Sequence, residues 1–90
     1  MAVLKKELED CIDCIVELSG PEYPIFPDSR TSFFVEINRK YIILVSYIED
    51  LYCVSALDGK MRVLNEFCAH SAEETAMRID SMSSVLKLKL

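Results

Sequence analysis

Apolar residues recur at two different spacings along this chain, and the switch between them lies just past Gly20-Pro21. The steps from Leu4 to Leu8, Cys11, Ile15 and Leu18 are four, three, four and three residues, which puts all five on one stripe of an amphipathic helix over residues 3–18. Gly20 supplies the left-handed conformation that follows a helix end and Pro21 cannot continue the turn, so the helix stops there. From Ser32 the period is two: Phe33, Val35 and Ile37 share one face of a strand, and Glu36 and Asn38 take the other. A helical stripe and a strand stripe each need a partner layer, so the expected class is α+β.

The rest of the chain extends this pattern. Residues 21–31 hold Pro21, Pro24 and Pro27 around Tyr23, Ile25 and Phe26, and read as a stiff, extended connection. Asn38-Arg39 turns the strand from Ser32 into a second, Tyr41 to Ile48, which is apolar on both faces and is therefore expected to sit centrally under a helix. After a break at Glu49-Asp50, the runs Tyr52 to Leu57 and Lys60 to Phe67 flank Asp58-Gly59, a two-residue hairpin signal with positive φ expected at both positions. The expectation is an antiparallel meander of about four strands. Ser71-Ala72-Glu73-Glu74 is a capping box, in which the Ser71 hydroxyl and the Glu74 carboxylate each satisfy a backbone N–H, and Ala72, Ala76, Ile79 and Met82 follow as a buried stripe. In the tail, Leu86, Leu88 and Leu90 alternate with Lys87 and Lys89. These residues would also serve to prolong the helix, but Ser81, Ser83 and Ser84 are poor helix formers, which favours an edge strand over residues 85–90 protected by lysines.

With 90 residues there is room for one core only, so residues 1–90 are expected to form a single domain. Apolar residues are 51% of the chain, more than so small a domain can hide, which predicts an exposed apolar patch or an oligomer interface, in the simplest case a homodimer. The net charge of −5 argues against direct binding of nucleic acid, which needs a cationic field, and suits either solubility or a partner with a basic surface. Lys5 and Lys6 are followed by Glu7, Glu9 and Asp10 rather than by the apolar stretch of a signal peptide. The apolar run Tyr41 to Val45, with Tyr47 and Ile48 beyond it, falls well short of the ~20 residues that span a bilayer. The expected setting is cytoplasmic, with no membrane and with Cys11, Cys14, Cys53 and Cys68 as free thiols in a reducing compartment.

Cys11-Ile12-Asp13-Cys14 together with Cys53, Cys68 and His70 is the one set with metal-ligand chemistry. Its spacing argues against zinc, because Cys11 and Cys14 lie mid-helix with Cys11 on the buried stripe, and Cys53 stands alone in a strand; small buried thiols are the plainer reading. A redox role for the same CxxC needs a helix N-terminus or nearby cations, whereas Asp10, Asp13 and Glu17 surround it. Cys68 and His70 can share a face of an extended segment, but no set of oxyanion donors accompanies them. Two glycines leave no phosphate-cradling loop. No catalytic residue, metal or cofactor is expected.

Two features suit a protein partner instead. Glu9, Asp13 and Glu17 stand at successive i, i+4 steps with Asp10 beside them, an acidic ridge whose like charges cost about 0.2–0.5 kcal/mol per pair. Lys5 and Lys6 at the helix start and Glu17 near its end also oppose the macrodipole. The ridge is either a solvated face or a surface presented to a basic partner. Tyr23 and Phe26, held between prolines, are either a cover for the end of the core or pre-ordered contacts, since stiff loops lose little entropy on binding.

An acidic helix, a short meander through Asp58-Gly59 and a capped helix at Ser71-Ala72-Glu73-Glu74 give this chain an organisation that resembles the small acidic inhibitor proteins of phages and mobile elements, the anti-CRISPR type among them. Such inhibitors share no common motif, so no residue role carries over. The resemblance implies a class of action, stoichiometric occlusion of a large host complex, often a nucleoprotein, without catalysis. The expected function is accordingly a non-enzymatic protein that binds and blocks or regulates a protein or nucleoprotein partner with a basic surface, through Glu9, Asp10, Asp13, Glu17, Tyr23 and Phe26. The alternatives are a small zinc or thiol protein using the Cys/His set, and a self-assembling structural subunit.

Overall fold

A computed structural model describes residues 4–19 and 23–88 of the chain. Helix α1 (Lys6–Ser19) is followed by five strands, β1 (Ile25–Ser29), β2 (Ser32–Ile37), β3 (Tyr41–Ile48), β4 (Leu51–Leu57) and β5 (Val63–Ala69), and then by helix α2 (Ala72–Leu88). Each strand pairs antiparallel with the next, in the order β1-β2-β3-β4-β5. The α+β class, the leading helix, the meander and the capped second helix are as expected. The helix stop at Gly20-Pro21 lies outside the described residues.

The core lies between one face of the sheet and both helices. Phe33, Val35 and Ile37 of β2, Ile43 and Val45 of β3, and Val54 and Ala56 of β4 are buried against Leu8, Cys11 and Ile15 of α1 and Ala76, Ile79 and Leu86 of α2. Side chains of the size of Leu8 or Phe33 contribute about 1.5–3 kcal/mol each when fully buried. β3 is the central strand, paired with β2 on one side and β4 on the other. Helix α1 is tied down at its start, where Lys5 N donates to Arg30 O (3.0 Å) and the Tyr52 hydroxyl donates to Glu7 O (3.0 Å). Helix α2 starts at the Ser71 cap, whose hydroxyl accepts from Glu74 N (3.1 Å), while the Glu74 carboxylate accepts from His70 N (3.3 Å), one residue earlier than the reciprocal bond of a capping box. Leu18, the last member of the predicted stripe, is 50% exposed, so the buried stripe of α1 ends at Ile15.

Three parts of the chain depart from expectation. The sheet has five strands rather than four, because residues 25–29 form an edge strand where an extended connection is predicted. Pro27 is tolerated there: β1 pairs on one side only, and its register breaks between Pro27 and Ser29. The second departure is at Asp58-Gly59. The two turns with paired positive φ are Asn38-Arg39 (52° and 62°) and Glu49-Asp50 (53° and 63°), whereas in the third connection the positive φ falls on Met61 (63°) and Gly59 lies outside the left-handed region. The Asp58 carboxylate accepts from Lys60 N (2.8 Å), Arg62 N (2.9 Å) and Arg62 Nε (2.8 Å), so it wraps residues 58–62 into a longer loop and delays β5 to Val63. The third is the tail, which continues α2 to Leu88 instead of forming an edge strand; Lys89 and Leu90 lie outside the described residues. The serines are accommodated because their hydroxyls donate one turn back, Ser83 to Ile79 O (2.8 Å) and Ser84 to Asp80 O (3.1 Å), and because Leu86, only 4% exposed, continues the buried face one turn beyond Ile79 and Ser83.

Candidate functional site

With both helices on one side, the pleat sends every second strand residue to the opposite, outer face. The register places Phe26 beside Phe34 and Phe34 beside Leu44, and it places Ile42 beside Leu57. The Phe26 and Phe34 rings stand 5.4 Å apart, and Phe26 is 42% exposed. Met61 leans from the 58–62 loop toward this cluster, and Asp28, Phe34, Ile42, Leu44, Leu57 and Met61 enclose a hollow of about 220 Å³. Apolar side chains at this density on a sheet surface cost free energy in water unless something covers them. The strands hold no lysine or arginine, and their charged residues are Asp28, Glu36 and Glu66. The charges that the strands carry are therefore all acidic.

The acidic ridge lies elsewhere. Glu9, Asp10, Asp13 and Glu17 are exposed, on the side of α1 turned away from the buried Leu8, Cys11 and Ile15. Burial and then the carboxylates of Glu73, Glu17, Asp10 and Asp13 push the Cys14 thiol up, which shows that Glu73 of α2 adds to the same negative surface. None of these five carboxylates enters an ion pair among the described residues. Tyr23 is half-buried against the edge of the core, so the structure separates the six predicted contact residues into the ridge, Tyr23 on the core side, and Phe26 on the outer face.

Of the Cys/His set the structure brings together Cys53 and Cys68 alone, with their sulfurs 3.7 Å apart. Cys11 is fully buried between helix and sheet, where burial and then Cys14 push its thiol up to about 12, which holds it as the neutral thiol near neutral pH. Cys53 and Cys68 stand on the outer face, with the sheet between them and Cys11. Among the described residues no three His, Cys, Asp or Glu side chains are placed to share a metal ion. His70 is exposed just ahead of the Ser71 cap, and no hydrogen bond joins it to Cys68.

Sequence reasoning missed Phe34, Ile42, Leu44 and Met61 as residues of the outer face, with Leu57 buried beneath them. The signal is the strand from Tyr41, apolar on both faces: one face lies under the helices as expected, and the other belongs to the exposed apolar patch that the composition predicts without placing it. Sequence reasoning also missed the juxtaposition of Arg39, Lys40, Lys60 and Arg62, which line a shallow depression of about 400 Å³ at the turn end of the sheet. Among the described residues no helix is long and apolar enough to cross a membrane. Comparison of the chain with protein-family models, with curated proteins and with solved structures finds no match.

Proposed function

We propose that this chain is a non-enzymatic binding protein that blocks or regulates a protein partner by seating the outer face of its sheet on it. The observation that carries this reading is the cluster of Phe34, Ile42, Leu44 and Met61 around one hollow floored by the buried Leu57, with Phe26 beside Phe34. Interfaces of this kind draw their affinity from aromatic and aliphatic anchors near the centre of the contact. The partner is one with an apolar protrusion set among basic groups, since the only charges that the strands supply are the carboxylates of Asp28, Glu36 and Glu66. The ridge of Glu9, Asp10, Asp13 and Glu17 adds to the same negative field and favours the approach of a basic protein or nucleoprotein surface.

Leu44→Glu tests the reading, because it puts a charge in the centre of the cluster without touching the core. The tagged native protein and the variant are compared for a binding partner from host lysate, alongside thermal melts and sedimentation. Partner retained by the native protein and lost by a folded Leu44→Glu supports the proposal, and equal retention overturns it. A native dimer that Leu44→Glu dissociates assigns the face to a second copy of this chain instead. Weaker association in the Glu9→Lys, Asp13→Lys, Glu17→Lys triple variant, with its salt dependence gone, identifies the ridge as the steering surface.

A further inference from the structure

We propose that Cys53 and Cys68 are a redox-active dithiol, a modification site that closes into a cross-strand disulfide by exchange with a small-molecule disulfide of the glutathione type. The two residues are direct partners in the β4–β5 register, flanked by the regular pairs Tyr52 with Ala69 and Val54 with Phe67, so the backbone holds their side chains on one face of the sheet. Their sulfurs are 3.7 Å apart, with the Cys68 thiol directed at Cys53. A disulfide bond is about 2.05 Å long and joins residues whose Cβ atoms are about 3.5–4.5 Å apart, a separation that opposed residues of an antiparallel pair approach without backbone rearrangement. Both thiols lie on the outer face, away from the helices; Cys68 is exposed and Cys53 half-buried.

The difference in exposure orders the steps. The Cys68 thiolate attacks one sulfur of the small disulfide, whose S–S bond breaks; the Cys68 mixed disulfide forms, and one small thiolate leaves and takes up a proton. Cys53 then gives up its proton and attacks the Cys68 sulfur, forming the intramolecular S–S bond and expelling the second small thiol. Two protein thiols are oxidised by two electrons in total, and one small disulfide is reduced to two thiols. Burial and the neighbouring Cys68 push the Cys53 thiol up, which suits it to the second, intramolecular step rather than to first attack. Cys11 and Cys14 do not compete, since Cys11 is enclosed and Cys14 sits among four carboxylates that repel an approaching thiolate or anionic disulfide.

The proposal is independent of the reading of the outer face as a docking surface, and its test needs no partner. The intact protein is equilibrated with oxidised glutathione, quenched, and analysed by intact mass and by a non-reducing peptide map. The native chain is expected to lose two hydrogens in mass and two of its four titratable thiols, with one linked peptide pair joining Cys53 to Cys68. Cys53→Ser is expected to stop at a stable glutathione adduct on Cys68, and Cys14→Ser to behave as the native chain. A native chain that accumulates the Cys68 adduct without closing, that reacts first at Cys14, or that keeps four free thiols overturns the proposal. Melting curves of both serine variants confirm that each is folded when it is assayed.

Discussion

The loop after β4 offers the sharpest test of how the backbone is laid down, because two neighbouring positions make opposite demands. If Asp58-Gly59 were a two-residue hairpin, Gly59 would require a positive φ and any side chain there would be strained. In the structure that demand falls on Met61, with φ of 63°, and Gly59 lies outside the left-handed region. A Cβ built on Gly59 meets only the Lys40 carbonyl oxygen, at 3.8 Å, an ordinary van der Waals distance. Gly59→Ala therefore acts through the unfolded chain, whose entropy it lowers, and is expected to stabilise by about 0.4–1 kcal/mol. Unfolding entropies near 2.1 cal/mol/K per residue give about 190 cal/mol/K for 90 residues, so Tm rises by about 2–5 °C. At Met61 the relief of left-handed strain and the added entropy of a glycine oppose each other, and Met61→Gly is expected to stay within about 1 kcal/mol of the native protein. Calorimetric melts of the two variants check this. A Gly59→Ala protein that melts several degrees lower than native would refute the loop geometry and restore a two-residue turn.

Two further outcomes follow from the tail and from the same loop. Ser84→Pro places a proline inside α2, where it clashes with the Asp80 carbonyl and removes a helical hydrogen bond, and it is expected to cost about 3 kcal/mol or more in urea unfolding; an unchanged midpoint would mean that the helix ends before residue 84. The Asp58 carboxyl is held below the usual range first by the Arg62 backbone N–H, which desolvation opposes, and then by the Lys60 N–H and the Arg62 guanidinium. Its native value is lower than its unfolded one, so its contribution is fully present above the unfolded value of about 3.9 and is lost as pH falls through the native value. Asp58→Asn should therefore lose less stability than the native protein on acidification from about pH 5 to about pH 2, and equal losses in the two proteins would count against the carboxylate as the organiser of the loop.

The parts of the fold that could be read from sequence are those decided locally. The stripe of Leu8, Cys11 and Ile15, the Ser71 cap and the alternation from Phe33 to Ile37 depend on neighbours within one turn or one strand, and each appears where expected. The misreadings arise where a local preference was outweighed by longer contacts. Pro27 marks residues 25–29 as a breaker in isolation, yet β2 offers an edge that needs no N–H from it. Leu86, Leu88 and Leu90 alternate as a strand would, but Ile79, Ser83 and Leu86 have helical spacing, and the back-bonded serines allow the helix to continue. At Asp58 the side chain competes with the backbone for the next N–H groups, a choice that composition does not reveal.

The candidate sites differ in the same way. The acidic ridge is legible because helical spacing alone groups Glu9, Asp13 and Glu17. The bare outer face follows from size: five strands at about 4.8 Å span roughly 24 Å, and two helices of about 10 Å diameter are both needed to cover one side. A chain that folds its apolar strands into five rather than four, with only two helices, leaves the second face open, and β3 with its apolar residues on both sides is where that shows. The dithiol depends on something finer. A two-residue turn at Asp58-Gly59 would place Cys53 opposite Leu64 and carry Cys68 past the end of β4, whereas the loop from Asp58 to Arg62 pairs Leu57 with Val63, and the register shift between Ala56 and Leu57 moves β5 one residue further, so that Cys68 faces Cys53. The loop that the Asp58 carboxylate holds and the shift beside Leu57 together set the register, and the register brings the two sulfurs to 3.7 Å. Melting at Gly59 therefore reports on the loop, and exchange at the cysteines on the loop and the shift beside Leu57 together.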